Sequence, residues 1–462
     1  MQVIQQTLER PVWMDGRALA LLLAASLTTM ANATISPALP GLERLFAGDP
    51  NAAMLTRLLV PAPSLSVALF APFAGLAVDR FGRRLLLLWG VILFAVAGCA
   101  GLVLPDLPSI FVSRLVLGVA VALIMTAQTA LVGDYFNGDK RSAMTGLQIS
   151  ARNFGGLVFI SLAGWVAAIS PRWPFAIYGL AIVFLPLMWM VIVDPRRSQA
   201  PGAKATSDAA GHPSFVLLLS LLVLLQALTN MIFFVMPTQM SFFLEAKGYD
   251  AAMMTGAILG TVMLSGGSFA LLYPRLQRAT GYAGIFLIGY AAMALGFLLL
   301  VLAATTPVLF AAAAAIGAGY ALVSPSFVAL TLNLAPLRHR GVSGGVLTAS
   351  IFIGQFVSPL LVTPLIAWHG YGTLFGGTAL LLAAMAMAAG LAGAAAKVRR
   401  RRGMSSKPAA GRSAAVAQSP RVSGDNGEDG LEQLVLGLVR GDVAACGGEG
   451  QRFGGTQHRQ KS

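Results

Sequence analysis

"GLAVDRFGRR", Gly75 to Arg84, decides how this chain is to be read. Its ten residues hold one acid, three arginines and two glycines. Immediately before it runs "LLVPAPSLSVALFAPFA" and immediately after it "LLLLWGVILFAVAGCAGLVL". An apolar run of about 20 residues is long enough to cross ~30 Å of hydrocarbon as a helix. A charged knot between two such runs is therefore a turn held at a membrane surface. The glycines fit that place: Gly75 permits a close helix approach, and Gly82 permits a tight turn.

The rest of the chain has the same character. Its 462 residues are 56% hydrophobic and 11% charged, with a mean hydropathy of +0.76; a soluble domain carries about 25% charged residues. Such a chain cannot cover itself with polar surface, so lipid must be its solvent. Within lipid every backbone polar group needs an internal partner, and the Ala-, Leu- and Gly-rich runs lack the alternation of barrel strands. The fold class that follows is an all-α integral membrane protein. Twelve spans are read at about 17–40, 54–78, 85–104, 109–133, 143–169, 174–193, 214–243, 251–273, 283–304, 307–334, 341–367 and 372–396. The first is too long for a signal peptide and is not closed by an A-x-A-like site, so it is expected to remain.

The polar stretch "DPRRSQAPGAKATSDAAGHPS", Asp194 to Ser214, cuts these spans into six and six. The expected organisation is an N-terminal segment 1–16, a six-helix bundle 17–193, a linker 194–213, a second bundle 214–396 and a disordered tail 397–462. With the N-terminus in the cytoplasm, the inner loops carry Arg80, Arg83, Arg84, Lys140, Arg141, Arg196, Arg197, Lys204, Arg275, Arg278, Arg338 and Arg340, and the outer loops only Arg44, Arg172 and Lys247. That bias places both termini inside. The net charge of +14 thus belongs to membrane topology rather than to nucleic-acid binding. The two cysteines, Cys99 and Cys446, give neither a disulfide framework nor a metal spacing.

A repeat supports the division. Shifted by 199 residues, Phe111 falls on Phe310, Gly118 on Gly317, Arg141 on Arg340, Gly146 on Gly345 and Gly155 on Gly354. Around the opening stretch a shift of 195 matches Arg80 to Arg275 and Arg83 to Arg278, with Pro274 opposite Asp79. Two pseudo-symmetric six-helix halves in parallel repeat suit a transporter whose site lies between them.

With Gly75, Asp79, Arg80, Gly82, Arg83 and Arg84 in this spacing, the stretch resembles the signature of the major facilitator superfamily. The resemblance covers about residues 10–400 and implies a transporter, similar to the drug and metabolite efflux branch. It also implies a latch that closes the inner side: Asp79 against the start of the eleventh helix at Gly341, and Arg83 or Arg84 against Asp134 at the end of the fourth. Arg114, four residues before Gly118, is similar to the family's second signature, where the arginine is tied to proton coupling, though Leu117 stands where the family favours Gln. Two departures weigh against proton antiport. Ala31 in "MANATISPALP" takes the place of an acid, and Ile160, Ser161 and Trp165 depart from the antiporter pattern of the fifth span.

Charge inside a span is expensive and usually functional. Arg114 either snorkels to the headgroups or serves the interior. Arg152 either helps attract an anion or is tied up with Gln148, Asn153 or backbone carbonyls. No Asp or Glu lies near the middle of any span, which leaves Asp79, Asp134 and Glu245 as proton carriers near the surfaces. The candidates for a central substrate site are Asn32, Gln128, Arg152, Asn153, Gln226, Asn230, Phe234 and Gln355, joined by Phe233, Met231 and Gln239: polar groups among aromatics that suit amphipathic organic molecules. No Gly-Lys dipeptide occurs, so there is no phosphate-gripping loop and a primary pump is excluded. The four scattered histidines exclude a catalytic cluster. Neither a cofactor nor a metal is expected. The expected function is secondary export of small amphipathic compounds by a monomer in the bacterial inner membrane, coupled to protons. The alternative is an importer or facilitator for a small organic anion.

Overall fold

The computed structural model describes residues 15–136, 138–194, 213–335 and 340–405. The side chain of Asp79 and the surroundings of Gly341 also lie outside the described residues, as does most of the expected linker and residues 406–462. The described residues are helical, with no strand among them. In order, α1 is Gly16–Ala33, α2 Leu39–Leu45, α3 Ala52–Leu59, α4 Ala62–Phe81, α5 Arg83–Cys99, α6 Leu107–Tyr135 and α7 Gly138–Ile169. They are followed by α8 Pro174–Ile177, α9 Leu180–Val191, α10 Pro213–Phe233, α11 Val235–Ala246, α12 Ala251–Val301, α13 Thr306–Leu334 and α14 Arg340–Ser405.

Three of the acids start helices. The carboxylates of Asp15, Asp106 and Asp250 accept from the backbone N–H groups of Arg17, Ser109 and Ala252 at 2.8, 2.8 and 3.1 Å, capping α1, α6 and α12. Among the described residues nine helices are long and apolar enough to cross a membrane, or ten when α3 and α4, bent by 52°, count as one. The bend falls at Pro61, which has no N–H to continue the ladder.

Two of the nine are too long for one crossing. A straight α12 of 51 residues would run about 76 Å. It breaks at Gly281, φ 69°, and α14 breaks at Gly370, φ 76°. The packing shows that both double back. A Cβ on Gly317 would strike Val262, and one on Gly319 would come 2.7 Å from Met293. Along one straight helix Val262 and Met293 would stand about 46 Å apart, yet both reach neighbouring turns of α13. Likewise Gly354 packs on Ala227 of α10, while Ala389 shares a groove with Leu225 of the same helix. Counting each long helix as the two arms its glycine separates gives twelve. The sequence expects loops at 273–283 and 367–372; each is compressed into one glycine, with helix on both sides. The last arm runs to Ser405, beyond the expected end at 396.

The repeat is structural, and its offset is 199 through α4, α5 and α6 and their counterparts. Gly118 meets Pro63 and Ser66; Gly317 meets Val262 and Ser265. Gly90 meets Leu123 and Ile124; Gly289 meets Leu322 and Val323. The turn glycines Gly82 (φ 95°) and Gly281 (φ 69°) correspond as well. This corrects the shift of 195 around the opening stretch. A positive-φ hinge fixes register, whereas surface arginines are held only by their side of the membrane. Asp79 therefore stands opposite Arg278, not Pro274, and Arg83 opposite Tyr282.

Each half has its own core. The fully buried members of one apolar cluster come from residues 18–192, with only Phe234, Phe242 and Phe352 from beyond. Those of the other run from Leu222 to Ala386, with only Ala33 and Ile160 from the first half. Gly118→Ala and Gly317→Ala should each destabilise the protein by about 1–3 kcal/mol through overpacking. Gly376→Ala, whose added Cβ meets nothing within 4 Å, should leave stability unchanged. Thermal unfolding of the three variants in detergent checks this.

Candidate functional site

The two halves meet along two seams. On one, α7 lies against the first arm of α12 at backbone distance: an added Cβ on Gly164 would come 2.7 Å from Gly256 Cα, and one on Gly156 3.1 Å from Met263 Sδ. Asn153 borders the same seam, its Oδ1 3.3 Å from the place a Cβ would take on Gly266. The other seam is polar. Gln355 Oε1 accepts from Ser64 Oγ at 2.6 Å and from Asn32 Nδ2 at 3.3 Å, tying α14 to α4 and α1. The pseudo-symmetry relates the seams, since Gly156 and Met263 are the counterparts of Gln355 and Ser64.

Beside the polar seam α10 and α13 build an aromatic and amide wall. Tyr320 Oη donates to Asn230 Oδ1 at 2.7 Å, and the Tyr320 ring stacks on Phe233 with centroids 3.8 Å apart. One turn along α10, Gln226 is fully buried, and neither its Oε1 nor its Nε2 has a partner. Ser358 Oγ donates to the Met231 carbonyl at 2.7 Å, and Gln239 Nε2 to Thr363 Oγ1 at 3.1 Å.

Arg152 is half-buried on α7, one turn from Gly156, and its Nε is without a partner. Gln148 Nε2 is likewise unpartnered, and Asn153 donates to its own helix at the Ile149 carbonyl, 2.9 Å away. No hydrogen bond or ion pair among the described residues occupies Arg152.

Arg114 does not snorkel. It is fully buried in the first core because α6 places it between α1 and the turn holding Phe175 and Tyr178. Its Nη2 donates to Tyr178 Oη at 2.9 Å, and that hydroxyl donates to the Ala31 carbonyl at 3.3 Å. Its guanidinium lies 4.5 Å from the Tyr178 ring centroid and 5.0 Å from that of Phe175. Among the described residues Nε and Nη1 have no partner, and no carboxylate pairs with the group. Arg114 and Arg152 thus lie in different surroundings and form no joint clamp.

At the Gly82 turn, Arg83 Nε lies 3.0 Å from Asp134 Oδ2. Its counterpart in the second half is uncharged: Asn333 Nδ2 donates to Tyr282 Oη at 3.1 Å. Arg84 takes another partner, donating to the Trp189 carbonyl at 2.7 Å, and Arg80 extends over the Phe81 ring. The helix that follows the turn, α5, is met at its start by Asp194, whose Oδ1 accepts from the Arg84 backbone N–H at 2.8 Å; the contact expected of Asp79 lies outside the described residues. Sequence reasoning assigned Asp194 to the linker; its signal is an acid directly after a span. Gly75 meets nothing within 4 Å, so it is no close-approach site: α4 and α6 touch instead where Gly118 meets Pro63 and Ser66, about three turns away at the other end of α4.

The Major Facilitator Superfamily sequence model matches residues 21–359. The chain belongs to the major facilitator superfamily. It is a multi-pass membrane transporter rather than an enzyme. Among curated relatives, Quinolone resistance protein NorA of Staphylococcus aureus is 28% identical over 146 residues, 31% of this chain and 38% of the relative's length. Multidrug resistance protein 1 of Bacillus subtilis is 22% identical over 313 residues, 66% of this chain and 78% of the relative. Among solved structures, a D-xylose-proton symporter superposes with TM-score 0.68 at 19% identity, over 81% of this chain and 96% of the symporter.

Within this superfamily fold, the seams collect Asn32, Asn153 and Gln355 from the sequence-derived candidates, with Arg152 and Asn230 beside them. Two others are held by apolar cores. Gln128 donates to the Leu21 carbonyl at 3.2 Å inside the first half, and Phe234, at the break between α10 and α11, crosses from the second half to pack in the first core. Sequence reasoning missed Ser64 and Tyr320, whose hydroxyls look ordinary until the fold sets them opposite an amide. Because a buried cation without a counter-ion costs stability, Arg114→Met should keep or raise the unfolding temperature while lowering transport at least about tenfold. Thermal unfolding and flux measured on the same preparation check both parts.

Proposed function

We propose that this transporter exports small amphipathic organic compounds by alternating access, driven by protons, as a monomer in the plasma membrane with both termini in the cytoplasm. The observation that carries the substrate class is the polar seam between the halves, where Gln355 meets Asn32 and Ser64 beside the wall of Asn230, Phe233 and Tyr320. Such a wall recognises a molecule with an apolar body and a few hydrogen-bonding atoms. The direction draws on two relatives whose names record drug resistance. The described acids near the membrane surfaces are already engaged, Asp134 with Arg83 and Glu245 with Arg44, so a proton taken up by either would compete with an ion pair.

A second reading, uptake or facilitated passage of an organic anion, is favoured by Arg152, a cation beside the interface without a counter-ion. Inside-out vesicles separate the two. Export by antiport predicts accumulation of an amphipathic dye only when the lumen is acidic. Equilibration indifferent to the gradient, or accumulation of anions alone, supports the second reading.

The proposed latch joins Asp79 to the Gly341 end of α14, with Arg83–Asp134 beside it. A carboxylate at a helix N-terminus contributes up to ~2 kcal/mol when partly buried. Asp79→Asn should therefore cut flux by about tenfold with unchanged protein level in the membrane. Wild-type flux from that variant would remove the latch.

A further inference from the structure

A groove lies inside the second half, away from both seams. It is walled by the first turns of α10, the second arm of α12, the end of α13 and the last arm of α14, and encloses about 770 Å³, its open mouth included. Leu222, Phe286, Phe327 and Met385 line it, and the small side chains of Ala389 and Ala392 leave it room. The Tyr290 hydroxyl at its edge is taken up by Thr229 Oγ1, 2.9 Å away. A pocket that selects a small solute needs placed polar groups; this one offers hydrocarbon, so what it can hold is a chain. Leu221 both lines the groove and is exposed, and Leu217, Leu224, Met387 and Leu391 flank it as exposed apolar side chains. The opening therefore faces the side where lipid tails lie.

Selectivity has to come from the end of the groove, and that end is basic. The groove runs from Tyr290 toward Ala283, near the Gly281 turn. Gly393 packs there, a Cβ on it falling 3.0 Å from that of Ala283. One helical turn further, on the same face, stands exposed Lys397, and exposed Arg278 precedes the turn. The sequence adds Arg399, Arg400, Arg401 and Arg402 to the same helix. Residues 213–405 contain two acids, Glu245 and Asp250, and both lie at the opposite end, one paired with Arg44 and the other capping α12. We infer that the groove holds an acyl chain of an anionic phospholipid whose headgroup phosphate is met by Lys397 and Arg278. Basic sites between spans at a cytoplasmic surface recognise such headgroups.

This inference does not rest on the proposed transport direction or substrate, and its test does not read transport. The full-length chain in detergent is offered equal phosphatidylglycerol and phosphatidylcholine, and bound lipid is counted by native mass spectrometry. Wild type should retain one phosphatidylglycerol. Ala389→Trp, which fills the groove, should lose it, and so should the milder Ala392→Leu if the larger residue prevents folding. Lys397→Gln with Arg278→Gln should keep a lipid but lose selectivity, on the order of fivefold for each cation removed. Equal retention of phosphatidylcholine by wild type, undiminished phosphatidylglycerol on folded Ala392→Leu, or a second copy of the chain bound in place of lipid would each overturn the assignment.

Discussion

Two helix backbones can touch only where a Cβ is missing, and that constraint organises this molecule. In lipid the apolar side chains gain little by meeting one another rather than acyl chains, so association relies on close van der Waals packing. Gly90 and Gly118 supply the close approaches of the first half, Gly289 and Gly317 those of the second, and Gly164 with Gly256 joins the halves. Because the two internal sets are displaced by one constant offset, the same packing solution is used twice. The contact between halves then follows from placing two similar bundles side by side.

The halves share a skeleton but not a chemistry. Where the first half has an ion pair between Arg83 and Asp134, the second has a neutral hydrogen bond between Tyr282 and Asn333. Where the first half buries Arg114 against Tyr178, the second has Ala313, also buried. Charge inside the membrane is thus concentrated in one bundle. The second carries its polarity as amides and hydroxyls on α10 and α13, with most of its positive charge gathered at the Gly281 end. Under the proposed function, duplicated geometry with divergent side chains assigns charge pairing to one half and exchangeable hydrogen bonds to the other.

Much of the fold was legible because lipid leaves a coarse signature. Hydrophobic run length, loop arginines and positive-φ glycines are properties of short stretches, and Gly82 could be read as a turn from its neighbours alone. The repeat was legible where glycines pack and misread where arginines only face water, since nothing sterically fixes Arg275 or Arg278. The site was less legible. Whether a polar residue faces the interface or its own bundle depends on helix rotation, which a nearly uniform apolar sequence hardly encodes. Gln128 and Gln355 look alike in sequence, yet one bonds a backbone carbonyl within the first half and the other bridges both halves. Asn230 was found from its type. Its partner Tyr320, 90 residues later, could be found only from the fold.

The two seams differ in what motion would cost them. Contacts at backbone distance, as between Gly164 and Gly256, depend on shape and are lost when the helices slide by an ångström or two, because dispersion falls steeply with distance. The hydrogen bonds at Gln355 depend on donors, and Asn32 and Ser64 can be exchanged for water or for a solute's own hydrogen-bonding groups with small net change. If the halves rock as proposed, the α7–α12 seam is the one that resists and the Gln355 seam the one that yields. A substrate entering there meets groups whose protein partners it can replace one for one, so binding and opening draw on the same hydrogen bonds. The polar residues at the interface are then part of the closure itself.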